Sequence, residues 1–220
     1  MFNFNRNFMI CSTLALANIF SATAFATEGE RNVTLQEDVS SAELLRLAIP
    51  AGEVLVTGTT GNNLTAVVTA TCKKERKACA EFLAKLAWDK KTGNTTELQL
   101  KPADVSNYND ITIKVKIGVP KDKKLEVSLA AGELTLEDTS GCVSADVSAG
   151  QLNLKLKESQ LASAELRANV GDAKLITAKG ETIAGDRSLL VGATLDWAKG
   201  AGTCHAKASV TAGEVKLVIN

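Results

Sequence analysis

An eight-residue pattern recurs five times in the second half of the chain, at 129–136, 147–154, 168–175, 190–197 and 210–217, with an earlier copy at 49–56. Each copy turns on a small residue. The pivots are Gly132, Gly150, Gly171, Ala193 and Gly213, spaced by 18, 21, 22 and 20 residues, and Gly52 is the earlier one. Three residues before the pivot stand Leu129, Val147, Ala168, Leu190 and Val210. Two after it stand Leu134, Leu152, Ala173, Leu195 and Val215, and four after it Leu136, Leu154, Leu175, Trp197 and Leu217. The polar residues Thr135, Asn153, Lys174, Asp196 and Lys216 lie between these apolar columns. Such period-two alternation turns one set of side chains inward and the other outward. A glycine pivot permits a kink or a close backbone approach that a larger side chain obstructs. A short repeat buries its apolar face by stacking on its neighbours. The predicted fold is therefore mainly β, a β-solenoid-like stack of coils about 20 residues long. The alternative is an antiparallel meander or sandwich.

The column just past the pivot reads Glu133, Gln151, Asp172, Thr194 and Glu214. Stacked in chain order, acids alternate with neutral side chains, so like charges stand about 10 Å apart, near one Debye length. This reads as avoidance of repulsion rather than as a calcium ladder. The glycine-rich, Asp-bearing nonapeptide of calcium-binding β-rolls is absent from the sequence.

Residues 1–26 have the form of a signal peptide. Arg6 supplies a weak basic region, 8–20 an apolar one, and Ala24-Phe25-Ala26 a small-x-small cleavage site. This segment holds five of the six Phe and both Met. The chain beyond residue 26 is poor in large side chains, with Phe82, Trp88, Trp197 and Tyr108 its only aromatics. Residues 27–42 are polar and without clear period, and are expected to form a flexible leader. No apolar run of about 18 residues occurs after residue 26, so no spanning helix is expected there. Balanced charge removes the electrostatic footprint of a nucleic-acid binder. The clusters Lys73-Lys74-Glu75-Arg76-Lys77 and Lys121-Asp122-Lys123-Lys124 lack interleaved aromatics and read as solvated segments. Four aromatics do not make the girdles of an outer-membrane barrel.

In the first half, a turn at Gly61-Asn62-Asn63 precedes a strand over 64–71. Between 74 and 88 the period changes: Cys79, Phe82, Leu83 and Leu86 fall on one face of a helix. Strands over 96–100 and 111–119 come next, the latter ending at Pro120. The order of parts is then a Gly52-Glu53-Val54-Leu55-Val56 strand, a charged helix with an apolar face, a strand closing on Val119-Pro120, and Leu125-Glu126-Val127-Ser128-Leu129-Ala130-Ala131-Gly132 opening the repeats. This resembles the bacterial putative-adhesin β-strand-repeat domains of unknown function, over roughly residues 43–220. The resemblance implies an exported β-solenoid-like fold with a surface or adhesive role. It carries over no catalytic residues.

Export implies an oxidising compartment, where cysteines pair. Two arrangements of Cys72 and Cys79 are open. Within one continuous helix their Cα atoms stand about 10 Å apart, beyond disulfide reach. With Cys72 ending the preceding strand, the chain folds back and the bridge closes. Cys142 and Cys204 lie eight and nine residues before their pivots. A regular stack separates them by three rungs, about 14 Å, and leaves them unbonded. His205 is the only histidine. A Cys204–His205 dyad is badly placed, because neighbours on a strand point to opposite faces. Zinc ligand clusters, phosphate loops and dinucleotide fingerprints are missing from the sequence. No catalytic, cofactor-binding or metal-ligating residue is assigned.

The chain thus reads as an exported, non-enzymatic structural or binding protein of the bacterial envelope, periplasmic or at the cell surface. Its expected partner is an envelope protein or polysaccharide, with no nucleic acid. An apolar last strand ending at Asn220 without a cap suggests self-association through that strand, or cover by another segment. The alternatives are an enzyme acting on an envelope polysaccharide and a self-assembling scaffold. Acids grouped beside Trp88, Trp197 or Tyr108 would favour the enzyme.

Overall fold

The computed structural model describes residues 24–27, 29–73, 77–103, 110–139, 142–188 and 191–220. Most of the expected signal segment, together with Tyr108 and Leu190, lies outside them. The strands are β1 Ala24–Thr27, β2 Glu30–Asp38, β3 Leu44–Thr59, β4 Asn63–Cys72, β5 Ala87–Lys91, β6 Thr95–Lys101 and β7 Ile111–Pro120. They continue as β8 Lys124–Glu137, β9 Val143–Leu156, β10 Leu161–Ile176, β11 Thr182–Ala184, β12 Asp186–Ser188, β13 Gly192–Trp197 and β14 Cys204–Ile219. Among the described residues one α-helix, α1 Lys77–Lys85, buries Cys79, Phe82 and Leu83 on the face that the spacing predicted.

These strands form one open mixed sheet, in the order β1-β2-β4-β7-β3-β8-β9-β14-β10-β13-β12. From β7 to β10 all neighbours are parallel. Antiparallel pairs flank this parallel block on both sides. Within the block the glycine pivots stand in register, Gly52 beside Gly132, then Gly150, Gly213 and Gly171.

The pivots are bends. Buried positions run Leu125, Val127 and Leu129 before Gly132, then Leu134 and Leu136 after it, so the parity switches across Ala130-Ala131-Gly132-Glu133. The connection from β8 to β9 requires the same. A straight 14-residue strand is over 40 Å long, yet β9 begins beside Leu125 after the five residues 138–142. Those can span only about 20 Å, so the far end of β8 must turn back towards its start. Parallel neighbours ordinarily need a crossover of a dozen or more residues; here the bent strand supplies the return. The backbone at the five pivot glycines has φ between 129° and 143°, which L side chains rarely adopt. A Cβ at Gly132, Gly150, Gly213 or Gly171 would overlap the carbonyl oxygen of the glycine stacked before it. At Gly52 it would come within 2.6 Å of the Ile113 carbonyl oxygen.

This geometry explains why the stack departs from chain order. The copy with Ala193 does not join it: β13 runs antiparallel to β10, with Ala193 opposite Ala168. A methyl group at the pivot would meet its neighbour's backbone. The last strand, β14, instead lies between β9 and β10, and its apolar residues Val210, Val215 and Leu217 complete the buried columns. Two expectations are corrected by this insertion. β14 is paired along both sides, so it offers no free edge for self-association. The acidic column also loses its alternation, because β14 brings Glu214 beside Asp172; Glu53 beside Glu133 adds a second acidic pair that chain order alone already makes.

A further correction concerns the leader. Residues 30–38 pair with β4 along their whole length; Val33 is buried and Leu35 packs against the core. Two apolar residues in nine gave too weak an alternation to read as a strand.

Candidate binding surface

The in-register strands convert residues distant in sequence into rows across the outer face. Before the bend, one row runs Glu97, Arg46, Glu126. Arg46 is ion-paired at 2.8 Å to each of the two glutamates. Its guanidinium, followed by the Lys91 ammonium, holds the Glu97 carboxyl below its ordinary range. The next row runs Gln99, Ala48, Ser128, Asp146, Ser209, Arg167. Ser209 donates its hydroxyl hydrogen to Asp146 Oδ1. Beyond it, next to the bend, stand Pro50, Ala130 and Ser148.

The members of these last two rows on β6, β3, β8 and β9 line a cleft of roughly 250 Å³, with Gln99, Ala103, Ser128, Asp146 and Ser148 around small apolar side chains. It crosses β6, β3, β8 and β9. Ser128, Ala130, Asp146 and Ser148 are exposed, so the cleft is an open groove with hydrogen-bonding groups on its floor. Among the described residues lining it, Asp146 is the one carboxylate. Glycoside hydrolysis ordinarily uses two, about 5–10 Å apart. Trp88 and Trp197 do not line it: Trp197 is buried in the core, and Trp88 is half-buried, its Nε1 donating to the Val33 carbonyl. The sequence missed this groove because only the strand register brings its residues together.

After the bend three acids of the row are ion-paired and a fourth, Glu133, accepts a hydrogen bond from an amide. Lys114 pairs with Glu53 at 3.7 Å, Lys174 with Glu214, and Arg187 with Asp172 at 2.5 Å. Asn153 Nδ2 donates to Glu133 at 3.1 Å. Among the described residues no group of three or more His, Cys, Asp or Glu could hold a metal ion.

The four cysteines among the described residues fall into two pairs. Cys72 ends β4, Cys79 lies in α1, and a disulfide joins them with their Cα atoms 6.0 Å apart. Cys204 is hydrogen-bonded to Cys142, a contact the regular stack ruled out and β14 creates by entering beside β9. Burial first, then Cys142, push the Cys204 thiol up to about 11. His205 does not join them; its Nδ1 lies 2.7 Å from Ser163 Oγ.

Fold and surface together define a mainly-β protein, one open sheet of bent strands with a polar groove across its outer face. Among the described residues no helix is long and apolar enough to cross a membrane. No protein-family model matches the chain, and no curated protein matches it. The fold is similar to the solved structure of a putative cell adhesion protein from Clostridium sporogenes, with TM-score 0.50 and 13% identity over 87% of this chain and 100% of that one. A putative adhesin from Parabacteroides merdae aligns over 58% of this chain and 53% of its own, at 12% identity and TM-score 0.28. One from Bacteroides fragilis aligns over 84% and 96%, at 13% identity and TM-score 0.27.

Proposed function

We propose that this chain is an exported, non-enzymatic, adhesin-like binding protein of the bacterial envelope, periplasmic or surface-located. Its bent parallel strands act as coils of a short β-solenoid-like stack, and the groove at Ser128, Asp146 and Ser148 holds an extended envelope polymer, a polysaccharide or a protein segment. The groove itself carries this reading. Within each row its hydroxyl, amide and carboxylate groups stand on strands about 4.8 Å apart, a spacing suited to a chain laid across the strands. Its carboxylate Asp146 is engaged by Ser209, and no second acid is found among the described residues that line the cleft. The fold shared with the cell adhesion protein from Clostridium sporogenes agrees with this assignment.

The test uses the purified protein, envelope polysaccharide isolated from the native host, and the Ala130→Trp variant. Ala130 is exposed, so the indole fills the groove without entering the core. The reading expects wild type to be retained on the polymer and the variant to lose at least tenfold in affinity. Chain-shortened products from wild type that disappear in Asp146→Asn would make the protein an enzyme instead. Equal retention of wild type and Ala130→Trp would place binding elsewhere.

A further inference from the structure

The chain carries a second thiol pair whose position is set by the strand insertion. Cys142 immediately precedes β9 and Cys204 opens β14. The two strands are neighbours in parallel register, starting from Ser144 beside Lys207. The residues are 62 positions apart in sequence, and their side chains are hydrogen-bonded. Both are only partly buried, so a small disulfide reagent can reach them. Lys124, at the start of β8, places its ammonium near the pair, and Thr203 hydrogen-bonds Cys204.

We propose that Cys142 and Cys204 form a second disulfide, a covalent latch that fixes the last strand in its slot between β9 and β10. The oxidant is a disulfide of the thiol–disulfide exchange class, either a protein oxidoreductase or oxidised glutathione. The Cys142 thiolate attacks one sulfur of the donor, forming a mixed disulfide and releasing one donor thiol. The Cys204 thiolate then attacks the Cys142 sulfur, closing the bridge and releasing the second donor thiol. Two protons and two electrons leave the pair, and the donor disulfide is reduced to two thiols. Because burial keeps Cys204 protonated near neutral pH, the first attack belongs to Cys142. The Cys72–Cys79 bridge places the chain in a setting where such exchange occurs.

The latch secures a non-local pairing. β14 is held between β9 and β10, and its first residue is where it would begin to peel away. A bond at Cys204 closes that end against β9.

The test needs no knowledge of the partner. Purified full-length protein is treated with a mild thiol reductant, desalted, and incubated with oxidised glutathione before an alkylating quench. Wild type is expected to lose the Cys142 and Cys204 thiols together and to yield a peptide pair linked through these two residues. Cys204→Ser is expected to stop at a stable glutathione adduct on Cys142, whereas Cys142→Ser is expected to leave Cys204 largely unmodified near neutral pH. A wild type that accumulates glutathione adducts without closing, or closes through other cysteines, would overturn the proposal. A second arm isolates protein from its native host under alkylating conditions without reductant. Recovery of the Cys142–Cys204 peptide pair supports the latch in the cell; alkylation of both residues alongside an intact Cys72–Cys79 bridge overturns it there.

Discussion

Gly150 and Gly213, 63 positions apart in sequence, lie side by side at the bend, and the space for a Cβ on Gly213 is occupied by the Gly150 carbonyl oxygen. The same relation links Gly132 to Gly52, Gly150 to Gly132 and Gly171 to Gly213. Five bent strands therefore share one column in which backbone packs directly on backbone.

Gly213→Ala is expected to destabilise strongly. Its φ of 143° is strained for any L residue, which alone costs about 1–3 kcal/mol, and the methyl group also forces two strands apart. We expect a loss of about 3 kcal/mol or more, read as a lower urea midpoint. Ala193→Gly, in the copy outside the column, should cost no more than about 1 kcal/mol. Equal midpoints for Gly213→Ala and wild type would remove the column from the account.

The repeat was legible in the sequence because its apolar columns and small pivots are local features. Leu129, Leu134 and Leu136 announce their burial by spacing alone. Strand order was not legible, since the copies at 150, 171 and 213 present nearly the same pattern and any could stack on another. The Ala at 193 was the available signal that one copy stood apart. Its meaning depended on the close contact between pivots, which is a fact of three dimensions. The groove was hidden for the same reason: Gln99, Ser128 and Asp146 become neighbours only once β6, β3, β8 and β9 are placed side by side.

Core substitutions should separate the two kinds of apolar residue. Leu152 is fully buried, and Leu152→Ala is expected to cost about 2–5 kcal/mol through lost burial and a residual cavity. Val170 is 54% exposed, so Val170→Ala should stay within about 0.5 kcal/mol of wild type. Chemical denaturation of both variants checks the contrast. Comparable losses would mean that Val170 is covered in solution.

The Cys72–Cys79 bridge ties the end of β4 to α1. Closing so short a loop should stabilise by about 2–3 kcal/mol on the loop-entropy account. Cys72→Ser with Cys79→Ser is expected to lower stability by that amount and to speed amide exchange in α1 first. If exchange in α1 is unchanged, the helix is held by Phe82 and Leu83 alone.

Arg46 provides a pH-dependent test on the outer face. Its guanidinium is the main cause of the lowered Glu97 pKa, with Lys91 contributing. A carboxyl depressed in the folded state adds stability above its unfolded pKa, and that increment is lost as pH falls through the folded value. The stability difference between wild type and Arg46→Ala should therefore be present at neutral pH and shrink on acidification. Both partners are exposed, so the difference should be small and weaken with salt. Carboxyl NMR titration should show Glu97 moving up towards its ordinary range in the variant. A Glu97 titration identical in the two proteins would dissociate the pair in solution.

Processing after Ala26 is the remaining expectation, and the strand pattern says what it should do to the fold. The cut would fall inside β1, Ala24–Thr27, which among the described residues pairs with β2 alone. β2 keeps nine paired positions with β4 after the cut, and Val33 remains buried among the core residues. The strand left at the edge carries Glu30, Arg31, Glu37 and Asp38, charges of the kind that discourage edge-to-edge association. A chain starting at Thr27 is thus expected to match the unprocessed chain in thermal midpoint within about 4 °C, corresponding to roughly 1 kcal/mol at this size, and to keep the same solution size at all concentrations. N-terminal sequencing of protein recovered from the exported fraction should begin at Thr27. A mature terminus upstream of Ala24, or aggregation of the shortened chain, would show that β1 is a retained part of the sheet.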